Sequence, residues 1–142
     1  MNDTIKKFGY PETLLKEYNN WLVLLRPKQP TIGSMILAHK GEQTRLSKVS
    51  KEAFIEYEKV IKDIERALEE VFDYDIMNYL MLMMVDKNVH YHIIPRYERE
   101  INFEWKSCRD TGWPKAPDMK YNLDFTEKEF NKLKNILQDK FQ

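Results

Sequence analysis

Apolar residues along this chain fall into short extended runs, separated by two stripes of helical period. Trp21-Leu22-Val23-Leu24-Leu25 is a run of strand formers that stops at Arg26-Pro27-Lys28-Gln29-Pro30, where two prolines forbid a central strand. Gly33-Ser34-Met35-Ile36-Leu37-Ala38-His39 reads as the next strand, and Lys40-Gly41-Glu42 as the turn after it. Ser50 then serves as N-cap of a long helix in which Phe54, Tyr57, Ile61, Ile64, Leu68 and Val71 recur at steps of three and four. That stripe reads as core packing. Residues Tyr74 to Met84 turn extended, and Val85-Asp86-Lys87 is short enough to close a hairpin into the strand Asn88 to Arg96.

Past Pro95 the chain loses clear period around Trp105, Cys108, Trp113, Pro114 and Pro117. The last element is better marked. Thr126 and Glu129 form a capping box, and Phe125 with Phe130 has the spacing of a hydrophobic staple. Phe130, Leu133, Ile136, Leu137 and Phe141 supply its apolar face. The order is a helical lead-in, two strands, a long helix, two strands, a tail and a helix. Antiparallel neighbours with helices on one face predict an α+β domain.

At 142 residues the expected organisation is one domain, 1–142, with its core at about residues 20–97 and an extension over 98–142. Lys plus Arg and Asp plus Glu are equal at 23 each, so no net field recruits a nucleic acid polymer or a membrane. An anionic ligand must be held by local groups. The lone cysteine, Cys108, excludes an internal disulfide. No run approaches the ~20 apolar residues of a membrane helix, and no apolar segment follows the N-terminus as a signal peptide requires. The cytoplasm is the expected location, and no cofactor is expected.

Alternation along the strand puts Asn88, His90, His92 and Ile94 on one face, with Val89, Tyr91 and Ile93 on the other. Two of the three histidines in the chain thus share one surface. A bare His-x-His is equally a pair of hydrogen-bonded core histidines, since imidazole is tolerated at half-buried positions. It is also a common metal-ligand pair, but zinc needs three or four protein ligands. Only His39, Cys108 and scattered carboxylates remain to complete such a set, none at a recognised spacing, so no metal is expected.

The wider segment Asn78 to His92, followed by Ile93-Ile94-Pro95-Arg96-Tyr97, resembles the signature of the histidine triad family, in which three histidines alternate with hydrophobic residues along one strand and often run into Pro-Arg. It looks most like the branch related to diadenosine tetraphosphate hydrolases. The resemblance covers about residues 20–97, including Thr31-Ile32-Gly33-Ser34 before its apolar strand. It implies a sheet of about five antiparallel strands, with the long helix on one face and additional terminal helices. It implies a nucleotide hydrolase or transferase that cleaves a phosphoanhydride or phosphoramidate at the α-phosphate through a nucleotidyl-histidine intermediate.

On the resemblance, His90 matches the nucleophile and His92 the histidine that binds phosphate or supports the leaving group. Asn78 matches an asparagine beside the phosphates. With a three-residue loop at 85–87, Asn78 faces Ile94 and shares the histidine face. Asn88, Ser34 and Arg96 are the candidate substrate-binding residues. Asn88 stands where the first histidine usually does, Ser34 where a histidine often follows the glycine, and no Gly-rich phosphate loop is present. A nucleotide-binding or adaptor protein with little turnover is the other function these departures allow. The implied partners are a nucleotide or dinucleoside polyphosphate and a second copy of the chain.

Overall fold

The computed structural model of the chain describes residues 1–142. A short helix α1 (Asp3–Lys7), capped by the Asn2 side chain accepting from the Ile5 amide, leads into strand β1 (Leu14–Glu17). Strands β2 (Trp21–Leu25) and β3 (Met35–His39) follow, and both are buried throughout. A single 3-10 turn at Leu46–Lys48 precedes helix α2 (Lys51–Phe72), whose N-cap Ser50 accepts from the Ala53 amide. Strands β4 (Ile76–Leu80) and β5 (His90–Arg96) complete a five-stranded antiparallel sheet of order β1-β2-β3-β5-β4.

The stretch beyond β5 has more structure than its sequence announces. A small hairpin of β6 (Ile101–Phe103) and β7 (Lys106–Cys108) precedes a long connection to helix α3 (Glu127–Asp139). Both halves of the Thr126–Glu129 capping box are formed. Helix α3 ties back to the start of the sheet, where Lys134 donates to the Glu12 carbonyl and Gln138 to that of Leu14.

One face of the sheet carries Trp21, Val23, Leu25, Met35, Leu37 and Ile93, packed against Ala53, Val60, Ile64, Ala67 and Leu68 of α2. The buried stripe is therefore displaced from the expected one. Phe54 is 43% exposed, and Ala53 takes its place against the sheet, where Trp21 Nε1 donates to the Ala53 carbonyl. Gly33 sits where α2 passes closest to the entry of β3. Its φ of +90° and a Cβ position only 2.8 Å from Leu68 Cδ2 leave no room for a side chain.

The other face is covered too. Leu22, Leu24, Ile36 and Ala38 form a second apolar cluster with Ile5 and Phe8 of the N-terminal segment. Burial on both sides explains why β2 and β3 read as continuous apolar runs rather than alternating ones.

The β4–β5 register places Asn78 opposite Ile94, as the expected alignment requires. The tight hairpin is a correction: β4 ends at Leu80, and residues 81–89 form an open connection. Met84 and Val85 in it are 76% and 80% exposed, so neither gains the burial that would extend the ladder.

Candidate active site

Strand β5 lies inside the sheet between β3 and β4, and its two histidines lie opposite small or aliphatic neighbours: His90 pairs with Ala38 and His92 with Ile36 of β3. Their rings stand 5.2 Å apart between centroids, at a near-perpendicular angle. His90 is 2% exposed and His92 8%. The Phe8 ring lies over both, with centroids 5.7 Å from His90 and 5.8 Å from His92.

Each imidazole has its tautomer set by a neighbour. The Nδ1 of His90 lies 2.7 Å from the Asn88 carbonyl oxygen, which can only accept. The proton therefore sits on Nδ1, and Nε2 carries a free lone pair. His92 is arranged the opposite way. Arg26 Nε donates to His92 Nδ1 at 3.3 Å, so the neutral ring holds its proton on Nε2. Burial, with the Arg26 charge and His90 adding to it, pulls the His92 pKa down to about 4. One ring thus presents an acceptor and the other a neutral donor. No third His, Cys, Asp or Glu joins them in a group able to hold a metal ion.

Arg26 follows β2 directly and was read in the sequence only as part of the strand's end. Its signal was the alternation Leu22, Leu24, Arg26, which carries the guanidinium onto the histidine face. Beside it a cleft of about 300 Å³ is lined by Lys7, Phe8, Arg26, Pro27, Lys28, Asp86 and His92. Lys7 is bound to Asp86 at 3.0 Å across this opening. Phe8, the other residue that sequence reasoning missed, comes from the helical lead-in, whose path over the sheet has no local signature.

The remaining candidates lie elsewhere. Asn78, opposite Ile94, and Arg96, opposite Ile76, lie about 13 Å and about 20 Å along the strand from His90 at ~3.3 Å per residue. There Arg96 Nη1 donates to Asn78 Oδ1 at 2.8 Å, while Arg96 is clamped by Asp110 through Nε (2.7 Å) and Nη2 (3.2 Å). Arg96 also donates to the Lys115 carbonyl, with the Trp113 ring 6.0 Å from its guanidinium carbon. It forms a buried ion pair, with four of its five N–H donors used within the fold, at a distance from His90. Asn78 is committed to the same network.

Asn88 lies two residues before β5, and its side chain turns to helix α1, the segment that covers the histidines. Its Oδ1 accepts from Thr4 Oγ1 at 3.0 Å, and its Nδ2 donates to the Glu42 carbonyl. The side chain fastens α1 instead of facing a ligand. Ser34 is fully buried, with Oγ donating to the Thr31 carbonyl at 2.7 Å. Thr31 in turn donates to the Pro95 carbonyl, which again belongs to the Arg96 end of β5. Of the six candidates, the structure brings His90 and His92 together and assigns the other four to bonds within the fold. His39, the third histidine, is buried against Trp21 and accepts from the Gly41 amide.

The sequence matches no protein-family model and no curated protein. Solved structures do match. A histidine triad protein from Bradyrhizobium japonicum superposes with a TM-score of 0.76 at 16% identity, covering 100% of this chain and 97% of that one. A histidine triad protein from Sinorhizobium meliloti 1021 gives 0.70 at 14% identity, covering 98% and 94%. A hypothetical histidine triad nucleotide-binding protein from Sulfolobus tokodaii strain7 gives 0.67 at 16% identity, covering 91% and 83%. At such identities it is the architecture that is shared, over nearly the whole of each chain: this protein has the histidine triad fold.

Proposed function

We propose that the protein is a nucleotide hydrolase or transferase in which His90 is the nucleophile. The observation that carries this reading is the opposed pair of tautomers, with a free lone pair on His90 Nε2 beside a neutral Nε2–H on His92. In the first step His90 Nε2 attacks the α-phosphorus, forming an N–P bond as the P–O or P–N bond to the leaving group breaks. The bond's electron pair leaves with that group: a phosphate departs as the anion, its bridging oxygen hydrogen-bonded by His92 Nε2–H, whereas an amine takes a proton from water as it departs. Water then attacks phosphorus, releases the nucleoside monophosphate and a proton, and restores neutral His90. Two easier displacements replace one difficult one, and the fixed groups supply orientation.

A dinucleoside polyphosphate and a nucleoside phosphoramidate are the substrates to try. Release of nucleoside monophosphate by the wild-type chain, lost in His90→Ala, supports the reading. Equal rates for the two proteins contradict it.

One observation favours a second reading, nucleotide binding with little turnover. Phe8 roofs both histidines, leaving His90 2% exposed, and the polar side chains of Asn88, Ser34 and Arg96 are spent on the fold. Calorimetric binding of a nucleoside monophosphate without product formation distinguishes this case.

A homodimer is part of the same proposal. Strand β4 is a sheet edge, and Ile76, Tyr79, Leu82, Met84 and Val85 on and beside it are exposed. A monomeric mass by light scattering at micromolar concentration contradicts it. The packing of α3 against β1 supports a single domain of residues 1–142. No helix is long and apolar enough to cross a membrane, and the cytoplasm is the proposed location.

A further inference from the structure

The cleft beside His92 contains cations with no anion to answer them. Lys7 is neutralised by Asp86, but neither Arg26 nor Lys28 takes part in any of the ion pairs of the fold. Arg26 is half-buried, and its fixed bonds are Nε to His92 Nδ1 and Nη1 to the Lys28 carbonyl at 2.9 Å. Nη2 has no partner within the protein. The Lys28 side chain is exposed on the same cleft. A partly desolvated guanidinium left without a carboxylate is costly unless an anion completes it, and its planar fork matches phosphate oxygens.

We propose that Arg26, with Lys28 beside it, forms a subsite for a polyphosphate leaving group and positions His92 toward that group. The proposal rests on His90 as nucleophile and adds the class of bond the site is built to break. A leaving amine or alkoxide needs a proton as it departs. His92 is a poor acid for that purpose, since it is held neutral by burial and by the Arg26 charge. A polyphosphate departs as a stable anion and needs fixed positive charge instead. The P–O bond breaks, both electrons stay on the bridging oxygen, and that oxygen receives the His92 Nε2–H bond while Arg26 and Lys28 meet the outer phosphates. Arg26 thus does two things: its Nε sets the His92 tautomer, and its outer nitrogen faces the charge that departs.

The test uses the full-length wild type, Arg26→Gln, Arg26→Lys and the exposed-site variant Lys28→Gln. AMP, ATP and inorganic tripolyphosphate are titrated calorimetrically, and hydrolysis of diadenosine tetraphosphate is compared with that of adenosine 5′-phosphoramidate. Wild type is expected to bind ATP more tightly than AMP and to bind tripolyphosphate. Arg26→Gln should lose about tenfold to hundredfold in affinity for ATP and tripolyphosphate, the scale of a charge-assisted phosphate contact, with AMP affected far less. Its kcat/KM should fall more for the tetraphosphate than for the phosphoramidate. Arg26→Lys should keep most of the polyphosphate binding, and Lys28→Gln should weaken it severalfold in a normally folded protein.

Equal losses for AMP and ATP, or no loss for either, overturn the subsite, as does a wild type that binds no tripolyphosphate. Failure of the broader reading looks different. Tripolyphosphate binding that depends on Arg26, without AMP binding or His90-dependent turnover, upholds the anion subsite and removes the nucleotide function. His90-dependent turnover indifferent to Arg26 does the reverse.

Discussion

The Nδ1 of His90 is held 2.7 Å from the main-chain oxygen of Asn88, two residues before it at the entry to β5. The contact uses backbone, so the orientation of the ring does not depend on which side chain occupies position 88. The Asn88 carboxamide is free to do something else, and it holds Thr4 of the N-terminal helix. The substitution of the first histidine of the resembled signature therefore leaves the His90 tautomer intact while anchoring the segment that roofs it.

His92 makes stability depend on pH. Its folded pKa of about 4 lies below the ordinary imidazole value near 6.5, so the unfolded chain binds a proton more readily. The contribution of the neutral ring is fully present above about pH 6.5 and is lost as pH falls toward 4. After allowance for solvent screening, the loss is about 2 kcal/mol. Urea unfolding at pH 7 and pH 5 should show it, and His92→Gln should flatten the difference. A slope identical in the variant contradicts the assignment.

Breaking the Arg96–Asp110 clamp should destabilise the protein strongly without touching the histidines. Asp110→Ala leaves a buried guanidinium unpaired, and such a change costs about 3–5 kcal/mol. Replacing both partners, Arg96→Met with Asp110→Leu, removes the unpaired charge and should recover part of that loss, the remainder being the bonds lost by the Tyr97 amide and the Lys115 carbonyl. Thermal melting of the three proteins measures it. A double variant as unstable as Asp110→Ala would contradict an unpaired charge as the source of the loss.

Removal of the aromatic roof should uncover the histidines. Phe8→Ala deletes a ring packed on His90, His92 and the second apolar cluster, at a cost of about 3 kcal/mol. The rate at which diethyl pyrocarbonate modifies His90, followed by peptide mass mapping under native conditions, should rise well above the wild-type rate. An unchanged rate means that Phe8 does not limit access.

Much of the frame was legible in the chain. The Ser50 cap, the Thr126–Glu129 box, the β2 and β3 runs and the Asn78–Ile94 register all follow from local chemistry or period. The β6–β7 hairpin was not, because three-residue strands carry too few alternations to register as a pattern. At the site, alternation located His90 and His92 but misassigned their company. Asn78 and Arg96 share their face, yet a strand of seven residues separates its two ends enough for two unrelated polar clusters. Arg26 reaches His92 from 66 residues away and Phe8 comes from further still, a proximity that depends on sheet order and on the course of the N-terminal helix.

The most direct test is to trap the intermediate. Wild-type protein is mixed with diadenosine tetraphosphate, quenched in alkali where a phosphorus–imidazole bond survives, digested and examined by mass spectrometry. The account predicts an adenylyl group on the peptide containing His90, absent in His90→Ala. Turnover that persists in His90→Ala, or an adenylyl group on any other residue, would contradict it.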